Sequence, residues 1–153
     1  MFTTAVEMPL NAMEDFNDSN ANVFASVDQE IIAVAGVAID AKQRVPYLVG
    51  VSAKQTGAQF LSMQLVTLPP GGSCRPHIHV DSESALFIMS RDVETLFGKD
   101  LAKSVISHAG DFIFISAGVP HQGRNLSDTE PAIAVVARND ADEQERVVPY
   151  SPR

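Results

Sequence analysis

From Val45 to Arg138 the chain is a succession of short apolar runs, most of them ended by Gly, Pro, Asp, Asn or Ser. VPYLVGVS, FLSMQLVTL, HIHV, ALFIMS, VETLFG, VISHAG, FIFIS, HQGRNL and AIAVVAR follow one another. Runs this short have the length of strands, and no amphipathic helical stretch separates them. Alternating α/β architecture is therefore excluded, and an all-β sandwich or barrel is expected. IIAVAGVAID, residues 31–40, reads as a further strand, because Gly36 argues against a stable helix. Pro46 places the next run at an edge or a strand start, and PPGG stops the run 60–68 sharply. In FIFIS, Phe112, Ile113, Phe114 and Ile115 leave no polar face, so burial on both sides is expected.

A chain of 153 residues is long enough for one domain with one core. Three segments are expected: a polar N-terminal arm over 1–30, a β-barrel over 31–140, and a tail over 141–153 that starts acidic and has room for a helical turn or a last strand. Acidic residues outnumber basic ones 19 to 11, for a net charge of -8, and Lys and Arg form no cluster. Nucleic acid and anionic membrane surfaces are thus excluded as partners. Cys74 is the only cysteine, so no intrachain disulfide forms. MFTTAVEM lacks the basic region and long apolar run of a signal peptide, and the longest apolar run is too short to span a bilayer. A cytoplasmic protein is the expectation.

The chemistry concentrates in GGSCRPHIHVDSE, residues 71–83. His77 and His79 stand at i and i+2, a spacing that puts both imidazoles on one face of a strand. Such a pair fits either metal ligands or polar residues on a surface strand. Glu83 follows after a short turn and has the reach to return its carboxylate to the same point. Imidazole with carboxylate suits a borderline divalent first-row ion, namely iron, manganese, nickel or zinc. A second segment, GDFIFISAGVPHQGRN at 110–125, brings His121 to the opening of another strand as a fourth ligand.

Together the two segments resemble the paired motifs of the cupin superfamily. Gly71, His77, His79 and Glu83 match the first motif, and Gly110, Gly118, His121 and Asn125 match the second. The Gly that closes the first motif is replaced by Ser90, and the Pro of Pro-x-Gly by Ser116. The resemblance implies a double-stranded β-helix, a jelly-roll barrel with an extended N-terminal arm. It implies that His77, His79, Glu83 and His121 face the interior and hold a divalent metal with one or two positions open. It also implies a homodimer formed through terminal strands, with the arm and the strand 31–39 as candidates.

The implied function is a metal-binding cupin acting on a small organic molecule, as an iron-dependent dioxygenase or related oxidoreductase. The alternatives are a metal-dependent decarboxylase, lyase or isomerase, and a non-enzymatic cupin that binds or senses a small ligand. Arg75, two residues before His77, is a candidate for binding a substrate carboxylate, against the simpler reading of an exposed turn residue. Arg124 and Arg138 are further candidates, against simple pairing with surface carboxylates. Phe87 and Met89 share the alternation of Glu83 and are candidates for the pocket wall, while Leu86 and Ile88 pack between sheets or under a dimer interface. Tyr47 and Tyr150 are candidates for a pocket mouth. Cys74 reads as a small turn residue, His108 as a surface histidine, and Asn125 as a structural hydrogen-bonding residue.

Overall fold

The computed structural model describes residues 31–142, 144 and 146–153, so the expected arm over 1–30 lies outside the described residues. Eleven strands are described: β1 (Val37–Asp40), β2 (Pro46–Val51), β3 (Ser62–Leu68), β4 (His77–His79), β5 (Ser84–Ser90), β6 (Val93–Phe97), β7 (Lys103–Ser107), β8 (Phe112–Ile115), β9 (His121–Asn125), β10 (Ala132–Arg138) and β11 (Val147–Pro149). A short α-helix, α1 (Ala53–Thr56), is capped at its start by the Ser52 side chain, which accepts from the Gln55 N–H.

One sheet has the order β1-β2-β3-β10-β5-β8 and the other β11-β4-β9-β6-β7. All described pairings are antiparallel. After β3 the chain passes repeatedly from one sheet to the other, which is the path of the expected jelly roll. Between the sheets lie Tyr47, Leu68, Cys74, Ile88, Val93 and Ala132, all buried. Among the described residues, no helix is long and apolar enough to cross a membrane.

Three expectations are corrected by edges and turns. The strand expected over 31–40 forms only from Val37, because its pairing to β2 begins at Val37↔Val49. Residues 31–36 are exposed despite their apolar composition. β8 lies at the edge of the six-stranded sheet and is not buried on both sides: Ile113 and Ile115 turn inward, whereas Phe112 is 81% and Phe114 64% exposed. The β5–β6 turn places Arg91, not Ser90, in the left-handed region, at φ 67. That conformation is what a motif glycine would provide. Beyond residue 140 the chain returns to the barrel, where β11 pairs with β4 through Val147↔His79 and Pro149↔His77.

Candidate metal centre

β4 is only three residues long and lies between β11 and β9. Strand alternation turns Ile78 away and sends His77 and His79 into the interior, where they are 5% and 4% exposed. His121 opens β9 directly opposite His77 on the ladder. Cross-strand neighbours stand close enough for their side chains to meet. The ring centroids of His77 and His121 are 4.3 Å apart, those of His77 and His79 5.0 Å, and those of His79 and His121 5.5 Å. One ligand nitrogen from each lies within 4.8 Å of the others.

Backbone carbonyls settle two of the tautomers. A carbonyl only accepts, so His77 Nδ1–H donates to Arg75 O at 2.7 Å and His121 Nδ1–H donates to Val119 O at 2.8 Å. Each ring is thereby oriented and keeps a lone pair on Nε2. His79 Nε2 is buried and has no hydrogen-bond partner. Buried polar atoms in folded proteins normally have partners, and a metal ion would supply one here.

Burial first of all, then the neighbouring positive charges, holds the His79 pKa down at about 2. His77 is lowered to about 3 by burial, with His121 and Arg138 adding to it. His121 is lowered mainly by burial, and Arg138 pushes the same way. Neutral imidazoles are the metal-binding form. These residues therefore fit a divalent ion held by three nitrogens.

Glu83 is not brought to this centre. It is exposed, and its backbone N–H is held by Asn139 Oδ1 at 2.8 Å. Its neighbour Ser84 is buried and lines the interior cavity instead. The cause is the one-residue offset at Arg91. Counting back from Arg91, where the left-handed turn occurs, the motif's carboxylate position falls on Ser84 rather than Glu83. A shift of one residue exchanges the two faces of a strand.

The same offset removes Phe87 and Met89 from the pocket wall. They are 36% and 51% exposed on the outer face, while Leu86 and Ile88 line the cavity. We expect Glu83→Gln to leave the metal dissociation constant within about twofold, as for other exposed substitutions. A titration with cobalt(II) checks this, and a large loss of affinity would return Glu83 to the ligand set.

Arg75 also stays outside. It precedes β4 in an irregular stretch with Pro76, so strand parity does not carry its side chain inward, and it is exposed. Arg124 forms an ion pair with Glu94 at 2.9 Å on the surface. Tyr150 OH accepts from the Asp100 N–H at 2.9 Å, and exposed His108 contacts Asp92 at 3.0 Å. Cys74, in the loop before β4, is buried, lines the cavity, and accepts from the Gly123 N–H at 3.2 Å. Burial pushes its thiol pKa up.

Behind the histidines lies a cavity of about 80 Å³, reached by His77 and His121 and walled mostly by aliphatic side chains. Tyr47 and Thr95 also line it, and burial raises the tyrosine pKa. The residue that most changes its chemistry is Arg138. It ends β10 with 5% exposure, lines the cavity, and donates from Nε to Ser84 Oγ at 3.0 Å. The sequence carried a signal for this: in AIAVVAR, Ala132, Val136 and Arg138 share one strand parity, and all three are buried.

Residues 64–138 match the family model described as Cupin domain. No curated protein matches the sequence. Among solved structures, the fold is similar to a Lactobacillus farciminis oxalate decarboxylase formate complex, with a TM-score of 0.61 and 19% identity over 74% of this chain and 33% of that one. A Bacillus subtilis oxalate decarboxylase whose Mn(II) centres were characterised matches with a TM-score of 0.59 and 20% identity, over 79% of this chain and 30% of that one. An oxalate oxidase matches with a TM-score of 0.57 and 23% identity, over 67% of this chain and 54% of that one. The chain thus spans about a third of the length of the decarboxylases and about half of the oxidase. At these identities the likeness is one of fold.

Proposed function

We propose that this chain, a cupin by its matched domain over residues 64–138, is a metal-dependent enzyme acting on a small organic molecule. The observation that carries the reading is the convergence of three buried, neutral histidines on one point beside a largely aliphatic cavity. His77, His79 and His121 hold one divalent ion, and three protein ligands leave positions for a substrate. When bound, the ion supplies Lewis-acid polarisation of substrate oxygens or a site for redox chemistry. The protein's own part is to fix ring orientation through Arg75 O and Val119 O and to exclude water with an aliphatic wall.

An all-imidazole set suits iron, nickel or zinc better than manganese, which prefers oxygen donors. The neighbours' names include a decarboxylase and an oxidase, and both reaction classes remain compatible with this centre. Oxygen consumption during turnover separates them. The test of the metal reading is elemental analysis of protein purified without chelator or metal-affinity resin. We expect close to one divalent ion per chain. No metal, even after anaerobic reconstitution with iron(II), would favour the non-enzymatic, ligand-binding alternative.

A homodimer belongs to the same reading. The outer face of the six-stranded sheet exposes Met89, Phe112 and Phe114, with the Phe87 and Phe112 rings 4.9 Å apart. Phe60 and Leu61 are exposed beside Phe114 along one groove. Contiguous apolar surface of this kind marks an interaction site. Light scattering is expected to show a dimer, and Phe112→Asp to shift it to monomer. A monomeric parent protein would overturn this part.

A further inference from the structure

Among the described residues, Gln43 and Gln64 are buried, and the polar atoms of neither side chain have a hydrogen-bond partner. Folded proteins rarely leave a buried carboxamide in that condition, because its lost hydration is not replaced. The direction of Gln64 is fixed by its strand. On β3, alternation groups it with Ser62, Val66 and Leu68 and turns Met63 outward. Val66 and Leu68 line the cavity beside the histidines. On the ladders Gln64 stands between Val49 of β2 and Val136 of β10. Val49 is buried, and Val136 lines the same cavity. The carboxamide of Gln64, a residue 2% exposed, thus enters the interior from among valines that offer it no partner.

The opposite sheet decides what it faces. Asn125, at the end of β9, donates to Leu68 O at 3.2 Å and to Pro69 O at 3.1 Å. Two residues back, a Cβ on Gly123 would lie 3.6 Å from Leu68 Cδ1. The ends of β3 and β9 therefore meet across the interior. Followed back from there, at about 3.3 Å per residue, β9 reaches His121 as β3 reaches Val66 and then Gln64. Facing sheets lie about 10 Å apart, a gap that long side chains from the two inner faces close between them. The unpartnered Nε2 of His79 belongs to the same interior, on the sheet that faces Gln64.

We propose that Gln64 is a further ligand of the metal centre, its Oε1 adding one neutral oxygen donor to the imidazoles of His77, His79 and His121. The proposal rests on the metal-centre reading above. One ion then meets orphaned atoms on both sheets, the Gln64 carboxamide oxygen and His79 Nε2. Gln64 supplies from β3 the oxygen donor that Glu83, turned outward before β5, does not. Amide carbonyl oxygens are established ligands of divalent ions, and first-row ions accept oxygen beside imidazole.

The test uses the full chain, stripped of metal and titrated with cobalt(II) against a competing chelator under nitrogen. The visible cobalt spectrum reads the donor set, and a thermal melt of each metal-free protein reads the fold. Gln64→Leu removes the donor and keeps a side chain of similar bulk. We expect it to weaken cobalt binding at least about tenfold, no less than the loss of a group that merely orients a ligand. Its visible bands should move as well. The metal-free variant should melt no lower than the parent, because an apolar side chain replaces an unpartnered amide among valines. A merely structural glutamine would do the reverse, lowering the melt and leaving affinity and spectrum in place.

Gln64→Glu keeps an oxygen donor. Above neutral pH it should bind cobalt at least as tightly as the parent. Its affinity should fall more steeply on acidification, because the carboxylate must lose its proton to coordinate. This variant decides the question if Gln64→Leu does not fold. Gln64→Leu with the parent's cobalt affinity and unaltered bands would overturn the proposal. So would Gln64→Glu that binds cobalt more weakly than the parent above neutral pH. Failure of the parent protein to take up cobalt would instead overturn the metal centre itself, a result read before any variant is compared.

Discussion

Replacing His79 and His121 together by Ala is expected to abolish stoichiometric metal binding while leaving a folded barrel. Two of the three converging nitrogens disappear, and a single imidazole at His77 does not hold a divalent ion against water. Loss of a partner that merely orients a ligand already weakens metal affinity about 10–100-fold. Loss of two ligands should therefore exceed about a hundredfold. The fold should persist because the ring nitrogens are not what joins the strands. β4 is held by its pairings to β11 and β9, and the His79 Nε2 atom has no protein partner to lose. Elemental analysis beside far-UV circular dichroism checks both halves. Full metal occupancy in the double variant would remove the centre from these residues.

The second large effect is on stability, at Asn125. This side chain is 2% exposed and closes the far end of β9, four residues beyond His121. Its amide donates toward Leu68 O at 3.2 Å, Pro69 O at 3.1 Å and Glu130 O at 2.7 Å, and its Oδ1 accepts from the Ser127 N–H at 2.9 Å. The turn after β3 and the loop before β10 are thus tied to the strand that carries His121. Asn125→Ala strands several backbone groups together, which we expect to destabilise the chain by about 2–4 kcal/mol. For a domain of this size that lowers Tm by roughly 5–15 °C. A thermal melt of the metal-free variant decides it. An unchanged Tm would mean that water replaces the amide at no net loss.

These two sites also mark how far the sequence could be read. His77, His79 and His121 were legible because their local signals are strong. An i, i+2 pair shares a strand face wherever the strand lies, and a histidine after Pro120 opens a strand in its own right. Asn125 was legible as a structural residue for the same reason, since a buried amide must find partners. Glu83 was not legible, because the decisive quantity was parity after a turn. Ser90 and Arg91 are adjacent, and either could have occupied the left-handed position. Arg91 occupies it at φ 67, and that one-residue choice sends Ser84, Leu86 and Ile88 inward and Glu83, Phe87 and Met89 outward.

By itself the sequence determined the fold class, the three histidines and the likeness to cupins. These follow from composition, turn residues and spacing along a few residues of chain. Only the tertiary structure decided that β8 is an edge strand with exposed phenylalanines, that β11 returns to support β4, and that Arg138 and Ser84 take the place beside the histidines where a carboxylate was expected. The reason is physical. Local patterning tells which residues share a face, but which face becomes the interior depends on turn geometry and on strands distant in the chain.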